Sequence, residues 1–219
     1  AFCGTFSKKD KFADYKIIEK VGIIFTNCGF IGIPLIRGVF GEEGVFYLMG
    51  YLVIFNIFLW TYGYYQMSGT INLKKIFLNP NIIAVCLGLI IFCMPFKLPE
   101  FISKPIDMIS DMNTATSMIL LGILLANLKF PESNEAFSRK YYVFRIGKFV
   151  FFRLVVCAII NIVISFFAYK IFSSIPDIRM MIFVVLICSM CPSATSVPSL
   201  SCIFDKDQSY ASIIVSITS

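Results

Sequence analysis

Histidine is missing from this sequence, and charged residues are scarce. None of the 219 residues is His, which excludes His-ligated zinc, a histidine general base and a Ser-His-Asp triad from this stretch of chain. Charged residues make up 15% of the sequence, hydrophobic residues make up 58%, and the mean hydropathy is +0.84. A soluble domain has roughly a quarter charged and about 45–50% apolar residues. The composition therefore indicates a protein that lies mostly in lipid.

The basic excess does not indicate a nucleic-acid-binding protein. The net charge is +6, but Lys and Arg sit in short segments between apolar runs and not on one folded face. Without His or an acidic residue inside a span, no catalytic set is apparent, so neither an enzyme nor a cofactor or metal is expected. Cys188-Ser-Met-Cys191 has the C-x-x-C spacing of redox motifs, but it lies in an apolar run without a βαβ pattern. Packing is the favoured reading of these thiols.

Six uncharged windows are long enough, or nearly long enough, to cross a membrane as helices. They are residues 21–36, 44–73, 76–96, 112–128, 154–169 and 180–204, and a seventh begins near Gln208. The two shortest windows are flanked by Lys20, Arg37, Arg153 and Lys170, which are expected to snorkel. No charged residue is predicted at the centre of a span, which argues against carboxylate-based ion coupling within these residues.

The distribution of Lys and Arg predicts the orientation. Fourteen of the 19 fall on one side of the predicted spans, and the positive-inside rule makes that side cytosolic. Segments 8–20, 66–80, 129–148 and 204–208 are therefore predicted to be cytosolic in a multi-pass protein of the plasma or inner membrane. Segment 129–148 is expected to be a basic loop.

An internal echo links the first and sixth windows. Residues 27–34 (Asn-Cys-Gly-Phe-Ile-Gly-Ile-Pro) and 191–198 (Cys-Pro-Ser-Ala-Thr-Ser-Val-Pro) align at an offset of 164. Each is followed by a Phe, Phe40 or Phe204, and then by a short charged turn. Five predicted crossings separate the two copies, so they insert in opposite directions. This is the pattern of an inverted-topology repeat.

The residues of the echo predict two broken helices. Pro34 and Pro198 are expected to open them, because proline lacks an N–H and its ring clashes with the carbonyl four residues back. Unwound backbone at membrane depth is tolerated where it is buried or lines a cavity, and helix N-termini there suit an anion. A pair of simple packing kinks is the alternative. The predicted substrate-binding residues are Asn27, Gly29, Gly32, Pro34, Asn113, Cys191, Pro192, Ser193, Thr195 and Pro198.

Further Asn residues lie at predicted spans. Asn113 belongs to a polar cluster entering the fourth span, which either joins helices or lines the path. Asn56 and Asn161 lie mid-span, and interhelical hydrogen bonds are favoured over ligand contacts there. Asn79-Pro80-Asn81 is typical of a helix start.

These motifs resemble the auxin efflux carrier family, which includes plant carriers and bacterial relatives associated with malate or malonate. The first motif is Asn27-x-Gly-Phe-x-Gly-Ile-Pro-Leu, followed by Phe40-Gly-Glu-Glu-Gly. Similar motifs follow along nearly the whole chain: Asn79-Pro-x-Ile-Ile-Ala, Leu98-Pro, Asn113-Thr-Ala-Thr, Cys191-Pro-Ser-Ala and Pro198. The chain departs from a symmetric site because Cys191 stands at the position that corresponds to Asn27. Its short linker is more similar to prokaryotic members than to plant carriers, which have a long cytosolic loop.

The resemblance implies an all-α polytopic membrane protein with an inverted-repeat transporter fold and two Pro-broken crossing helices, truncated at both ends here. Residues 1–65 would end the first repeat, with a broken helix near 17–37 and a helix at 45–65. Residues 66–80 would form a cytosolic linker. The second repeat would occupy 81–219, with helices near 81–96, 111–128, 149–172, a broken helix at 180–203 and a last helix from 209. The implied function is transport of a small organic anion by alternating access, as a homodimer in the lipid bilayer. A channel-like or sensory membrane module without saturable transport is the alternative.

Overall fold

The computed structural model describes residues 8–70, 78–94, 99–126 and 139–219, and the regular structure of these ranges is helical apart from one isolated β-bridge. The α-helices are α1 (Lys8–Ile24), α2 (Ile33–Phe58), α3 (Tyr64–Ser68), α4 (Pro80–Cys93), α5 (Glu100–Ala126), α6 (Arg139–Phe151), α7 (Cys157–Ile171), α8 (Ile178–Met190), α9 (Ser196–Ile203) and α10 (Gln208–Thr218). Three π-helical segments, Cys28–Gly32, Leu59–Gly63 and Phe152–Val156, connect consecutive α-helices.

Among the residues that the structure describes, two continuous helical stretches are long and apolar enough to cross a membrane: Cys28–Ser68 and Lys140–Ile171. Only 22% and 11% of their most apolar windows are buried. The core helix of a soluble protein would be mostly buried, so these exposed apolar surfaces are suited to lipid. Pro80–Cys93 and Ile178–Met190 are shorter apolar helices.

Gly41 divides the first long stretch. A helix of 41 residues would extend about 60 Å, twice the roughly 30 Å of the hydrocarbon core. Gly41 has φ 65° and ψ −157°, a conformation that residues with a Cβ rarely adopt, and it interrupts α2 there. A Cβ on Gly44 would lie 2.4 Å from the Cβ of Phe40. The turn at 40–44, part of the first sequence motif, therefore requires glycine at both positions.

Two helices begin earlier than the uncharged windows indicate. Segment 129–148 was expected to be a loop, but α6 begins at Arg139 and continues through Phe152–Val156 into α7. This correction has an electrostatic reason, because Arg145 pairs with Glu19 of α1 and its charge does not end the helix. α5 begins at Glu100 and includes Pro105. α4 begins as predicted, with Pro80 in its first turn and Asn79 accepting a hydrogen bond from the N–H of Asn81 at 2.9 Å.

The main core joins α1 to helices from the other end of the chain. Tyr15 on α1 stacks within 4.2 Å of the ring of Tyr210 on α10, and Tyr142 on α6 packs edge-on against both. Below them, Ile18 and Val21 are fully buried. A second cluster packs α2 against α8 and includes Cys28, Ile36, Leu48, Val184 and Cys188. These two cores hold the ends of α1 and α8 next to each other.

Candidate functional site

Each of the two echo segments interrupts its helix, but the prolines predicted to do so lie beyond the openings. α1 ends at Ile24, residues 25–27 are unwound, and the π-helical segment Cys28–Gly32 leads into α2. α8 ends at Met190, and helix resumes only at Ser196. Pro198 lies in the first turn of α9, where its missing N–H costs little. Pro34 lies in the first turn of α2, after the wider π-helical turn.

Pro192 explains the second opening better than Pro198. The residue before a proline is disfavoured in α conformation, and Cys191 has φ −54° and ψ 154°. The helix must therefore stop at Cys191. Pro34 is also exposed on the outside of α2, so it does not face the other opened segment.

The two unwound segments pair with each other in antiparallel orientation. Thr26 lies opposite Ser193 in an isolated β-bridge. The N–H of Asn27 donates to the carbonyl of Pro192 at 2.7 Å, and the N–H of Ala194 donates to the carbonyl of Phe25 at 3.1 Å. Backbone groups freed by unwinding are thus partly satisfied across the contact, as burial requires. We call this contact, residues 25–27 with 191–195, the crossing.

Hydroxyl groups add to the crossing. The Oγ of Ser193 donates to the carbonyl of Gly22 at 2.9 Å, and the N–H of Ser193 donates to Oγ1 of Thr218 at 3.4 Å. Both bonds are buried. The end of α10 therefore packs against the crossing.

The predicted site residues divide into three groups. Asn27, Cys191, Ser193 and Thr195 are buried at the crossing, with Asn27 only 2% exposed, and Pro192 is half-buried there. Gly32 and Pro198 are buried one or two turns away, while Gly29 is half-buried and Pro34 is exposed. The side chain of Asn113 lies outside the described part of the structure, although its backbone is in α5.

Nδ2 of Asn27 and Nε of Arg153 are buried at the crossing and have no hydrogen-bond partner within the described residues. Asn27 is 2% exposed and Arg153 is 4% exposed. A buried polar group without a partner costs about 1–3 kcal/mol. Asn27 and Thr195 are also the N-cap residues of the segments that resume after the openings, and neither side chain caps its helix. Free N–H groups and partial positive charge at such ends attract anions.

Arg153 is a functional candidate that the sequence did not reveal. It was expected to snorkel to the membrane interface, but it is 4% exposed and points into the crossing. Its Nη1 donates to the carbonyl of Ile23 at 2.9 Å, and its Nη2 donates to the carbonyls of Ser189, at 3.3 Å, and Cys191. Arg153 borders the uncharged window 154–169, so the sequence predicts it at the end of a span and not inside one. The warning signal was the length of window 154–169, which is short for a membrane helix.

Three thiols converge beside the crossing around Gly32. A Cβ on Gly32 would lie 3.6 Å from Sγ of Cys188, 3.6 Å from Cβ of Cys28 and 4.0 Å from Sγ of Cys191. These are ordinary van der Waals distances, so the space around Gly32 would accept a Cβ. Within the described ranges, no group of three His, Cys, Asp or Glu residues is placed to hold a metal ion.

The model of the membrane transport protein family matches residues 13–71 and 66–219 of the chain. The chain belongs to this family. It is the family of the auxin efflux carriers, and the match extends across both interrupted helices. Comparison with curated proteins and with solved structures gave no match. The chain is thus an all-α membrane protein of a transporter family, in agreement with the resemblance seen in its motifs.

Two other Asn residues of this family member have local roles. Nδ2 of Asn56 donates to the carbonyl of Leu52 at 2.8 Å, and Nδ2 of Asn161 donates to the carbonyl of Cys157 at 2.9 Å. The prediction of interhelical bonds for this pair is therefore wrong. Each amide reaches the carbonyl four residues earlier in its own helix, an option open to any short polar side chain on a helix. Asn27 differs from both, because its amide N–H2 is buried and finds no such carbonyl.

Proposed function

We propose that the protein transports a small organic anion, such as malate, malonate or an auxin-like acid, and that the anion binds at the crossing. The observation that carries this proposal is the unpartnered amide of Asn27 beside the N-terminal end of a resumed helix. An amide N–H2 and backbone N–H groups are donors, and a carboxylate is an acceptor with about four lone-pair sites. The unpartnered donors at the crossing can therefore form hydrogen bonds to the oxygens of a carboxylate.

The proposal includes alternating access, which the small number of bonds across the crossing supports. The two interrupted helices are joined by two backbone hydrogen bonds, by the hydroxyl of Ser193 on the carbonyl of Gly22, and by the guanidinium of Arg153. Transporters with inverted repeats move one bundle against the other around a fixed site of this kind. In this proposal residues 1–65 and 81–219 are parts of the two repeats, the Lys-rich segments face the cytosol, and the working unit is a homodimer in the plasma or inner membrane.

A counterflow assay tests the proposal. Full-length protein is reconstituted in liposomes preloaded with unlabelled malate, malonate or indole-3-acetate, and uptake of the same labelled anion is followed with and without a sodium or proton gradient. We expect saturable uptake of at least one anion. Absence of uptake for all of them would contradict the proposal, and uptake proportional to concentration would indicate a channel.

Asn27→Ala identifies the site in the same assay. It removes one hydrogen bond to a charged group, worth about 1.5–3 kcal/mol, so the KM for the anion should rise on the order of 10- to 100-fold. Asn56→Ala is the matched control, because its amide bonds only within its own helix. Equal KM values for Asn27→Ala and Asn56→Ala would place the anion elsewhere.

A further inference from the structure

Arg153 is a buried cation whose compensating charge is not a carboxylate. It is 4% exposed, and none of the ion pairs in the described ranges includes it. A buried charge needs compensation, because the low dielectric of its surroundings penalises an isolated ion. Both Nη atoms of its guanidinium donate to backbone carbonyls. The side chains of Tyr51, Cys157 and Cys191 lie near it and are not carboxylates, and its Nε has no hydrogen-bond partner within the described residues.

These carbonyls belong to the C-terminal ends of two different helices. Ile23 is in the last turn of α1, Ser189 is in the last turn of α8, and Cys191 is the C-cap residue of α8. A helix C-terminus carries about −0.5 elementary charge, held by carbonyls without intrahelical partners. Two such ends together carry roughly −1, which matches the single positive charge of Arg153.

We propose that Arg153 is a positioning residue of the crossing: its one positive charge joins the negative ends of α1 and α8 and keeps the two interrupted helices in register. The substrate-facing part of this inference rests on the proposed function. The positive ends of the resumed helices, at Asn27 and Thr195, are then left free to act on the transported anion. The guanidinium fork is essential, because it reaches carbonyls of both helices at once.

The local backbone supports this role. Arg153 lies in the π-helical segment Phe152–Val156, which interrupts an otherwise continuous α-helical course from Arg139 to Ile171. A π-turn inserts an additional residue and redirects the side chains that follow, and such turns are common at functional sites. The π-helical segment therefore lies at the point of the chain where the side chain of Arg153 reaches the ends of α1 and α8.

Native cysteines provide a probe of the crossing that needs no substrate. Cys191 is buried in the crossing, Cys28 and Cys188 are buried beside it, and Cys202 is exposed on α9. Full-length protein is treated with N-ethylmaleimide, and the modification rate of each thiol is measured by peptide mass spectrometry. In Arg153→Gln, which keeps hydrogen-bond donors but loses the charge, we expect the rates of the three buried thiols to rise at least tenfold. The rate at Cys202 should stay within twofold of wild type.

Matched variants make the result decisive. Arg153→Lys keeps the charge without the fork and should give intermediate rates. Arg179→Gln removes an exposed arginine that bonds to Tyr169, and it should label like wild type. Elution volume and helix content, measured at the labelling temperature, distinguish local opening of the crossing from global unfolding. If Arg153→Gln does not fold, the labelling rates of Arg153→Lys provide the test. Wild-type rates at the buried thiols in both Arg153 variants would overturn the inference.

Uptake assays distinguish a positioning role of Arg153 from direct contact between Arg153 and the anion. As a positioning residue, Arg153 acts on the site and not on one ligand, so Arg153→Lys should reduce uptake of monovalent and divalent anions by the same factor, within twofold. A selective loss of the divalent anion would show direct contact and overturn the positioning role. The labelling result does not depend on uptake, so a failure of the transport proposal would leave it standing.

Discussion

Glu19→Gln is expected to destabilise the fold more than an ordinary ion-pair mutation. Glu19 accepts hydrogen bonds from Nε and Nη2 of Arg145 and from the hydroxyl of Tyr210. It thereby ties α1 to α6 and α10, just before α1 reaches the crossing. The side chain of Arg145 is 10% exposed and that of Glu19 is 20% exposed. The substitution keeps the shape of the side chain and removes its charge.

Burial sets the magnitude of this effect. Breaking a buried ion pair by removing one partner costs about 3–5 kcal/mol, while exposed pairs contribute about 0–1 kcal/mol. The small remaining exposure of the Glu19–Arg145 pair places the expected cost near 2–4 kcal/mol. At about 2–4 °C per kcal/mol for a chain of this size, the melting temperature should fall by roughly 5–15 °C.

Glu42→Gln is the matched control, since Glu42 also pairs with an arginine. Its partner Arg37 is 53% exposed and Glu42 itself is 78% exposed, so the melting temperature should change by less than about 3 °C. Both variants are compared with wild type by thermal melting of helix signal in the same detergent. Equal shifts for Glu19→Gln and Glu42→Gln would refute the reasoning that burial decides the strength of the pair.

Two further substitutions test the turn and the crossing. Gly41→Ala places a Cβ on a residue with positive φ and should destabilise the protein by about 1–3 kcal/mol. Gly50→Ala, on the open surface of a helix, should be neutral or stabilising. Similar melting temperatures for the two variants would contradict the role of the Gly41 conformation. Ser193→Ala removes the buried bond to Gly22 and should cost about 1–2 kcal/mol. Ser201 is equally buried but bonds within its own helix, so Ser201→Ala should cost less than about 0.5 kcal/mol. Both variants are compared by denaturation in the same detergent. A larger loss of stability for Ser201→Ala than for Ser193→Ala would count against the crossing as a stabilising contact.

The helices and the two interruptions could be predicted from the sequence because their causes are local. Long apolar runs favour helices in lipid, and the pattern of Gly, Ser and Pro in two matched segments favours openings. The positions of the openings could not be predicted as well. Pro34 and Pro198 are tolerated within resumed helices, and the first opening depends on the pairing of Asn27 with Pro192, a contact between distant parts of the chain.

Arg153 could not be placed from the sequence for a related reason. A charge-counting rule treats every Lys and Arg as a boundary of the membrane, but the partners of Arg153 are carbonyls that exist only where two helices end side by side. Likewise, Arg145 does not end α6 because Glu19 compensates it. In both cases a tertiary partner, absent from the local sequence, changes the electrostatic cost of a charge.

The chain opens at 25–27 and at 191–195, and these two segments pair antiparallel. Thr26 and Ser193 form a non-hydrogen-bonded pair, for which the Cα atoms lie about 4.5 Å apart, within disulfide range. In a background without native cysteines, Thr26→Cys with Ser193→Cys should cross-link on mild oxidation, and mass spectrometry should find the joined peptides. Thr26→Cys with Ser199→Cys, on the exposed face of α9, should not. Failure of the first pair to cross-link, or equal cross-linking of both pairs, would contradict this pairing.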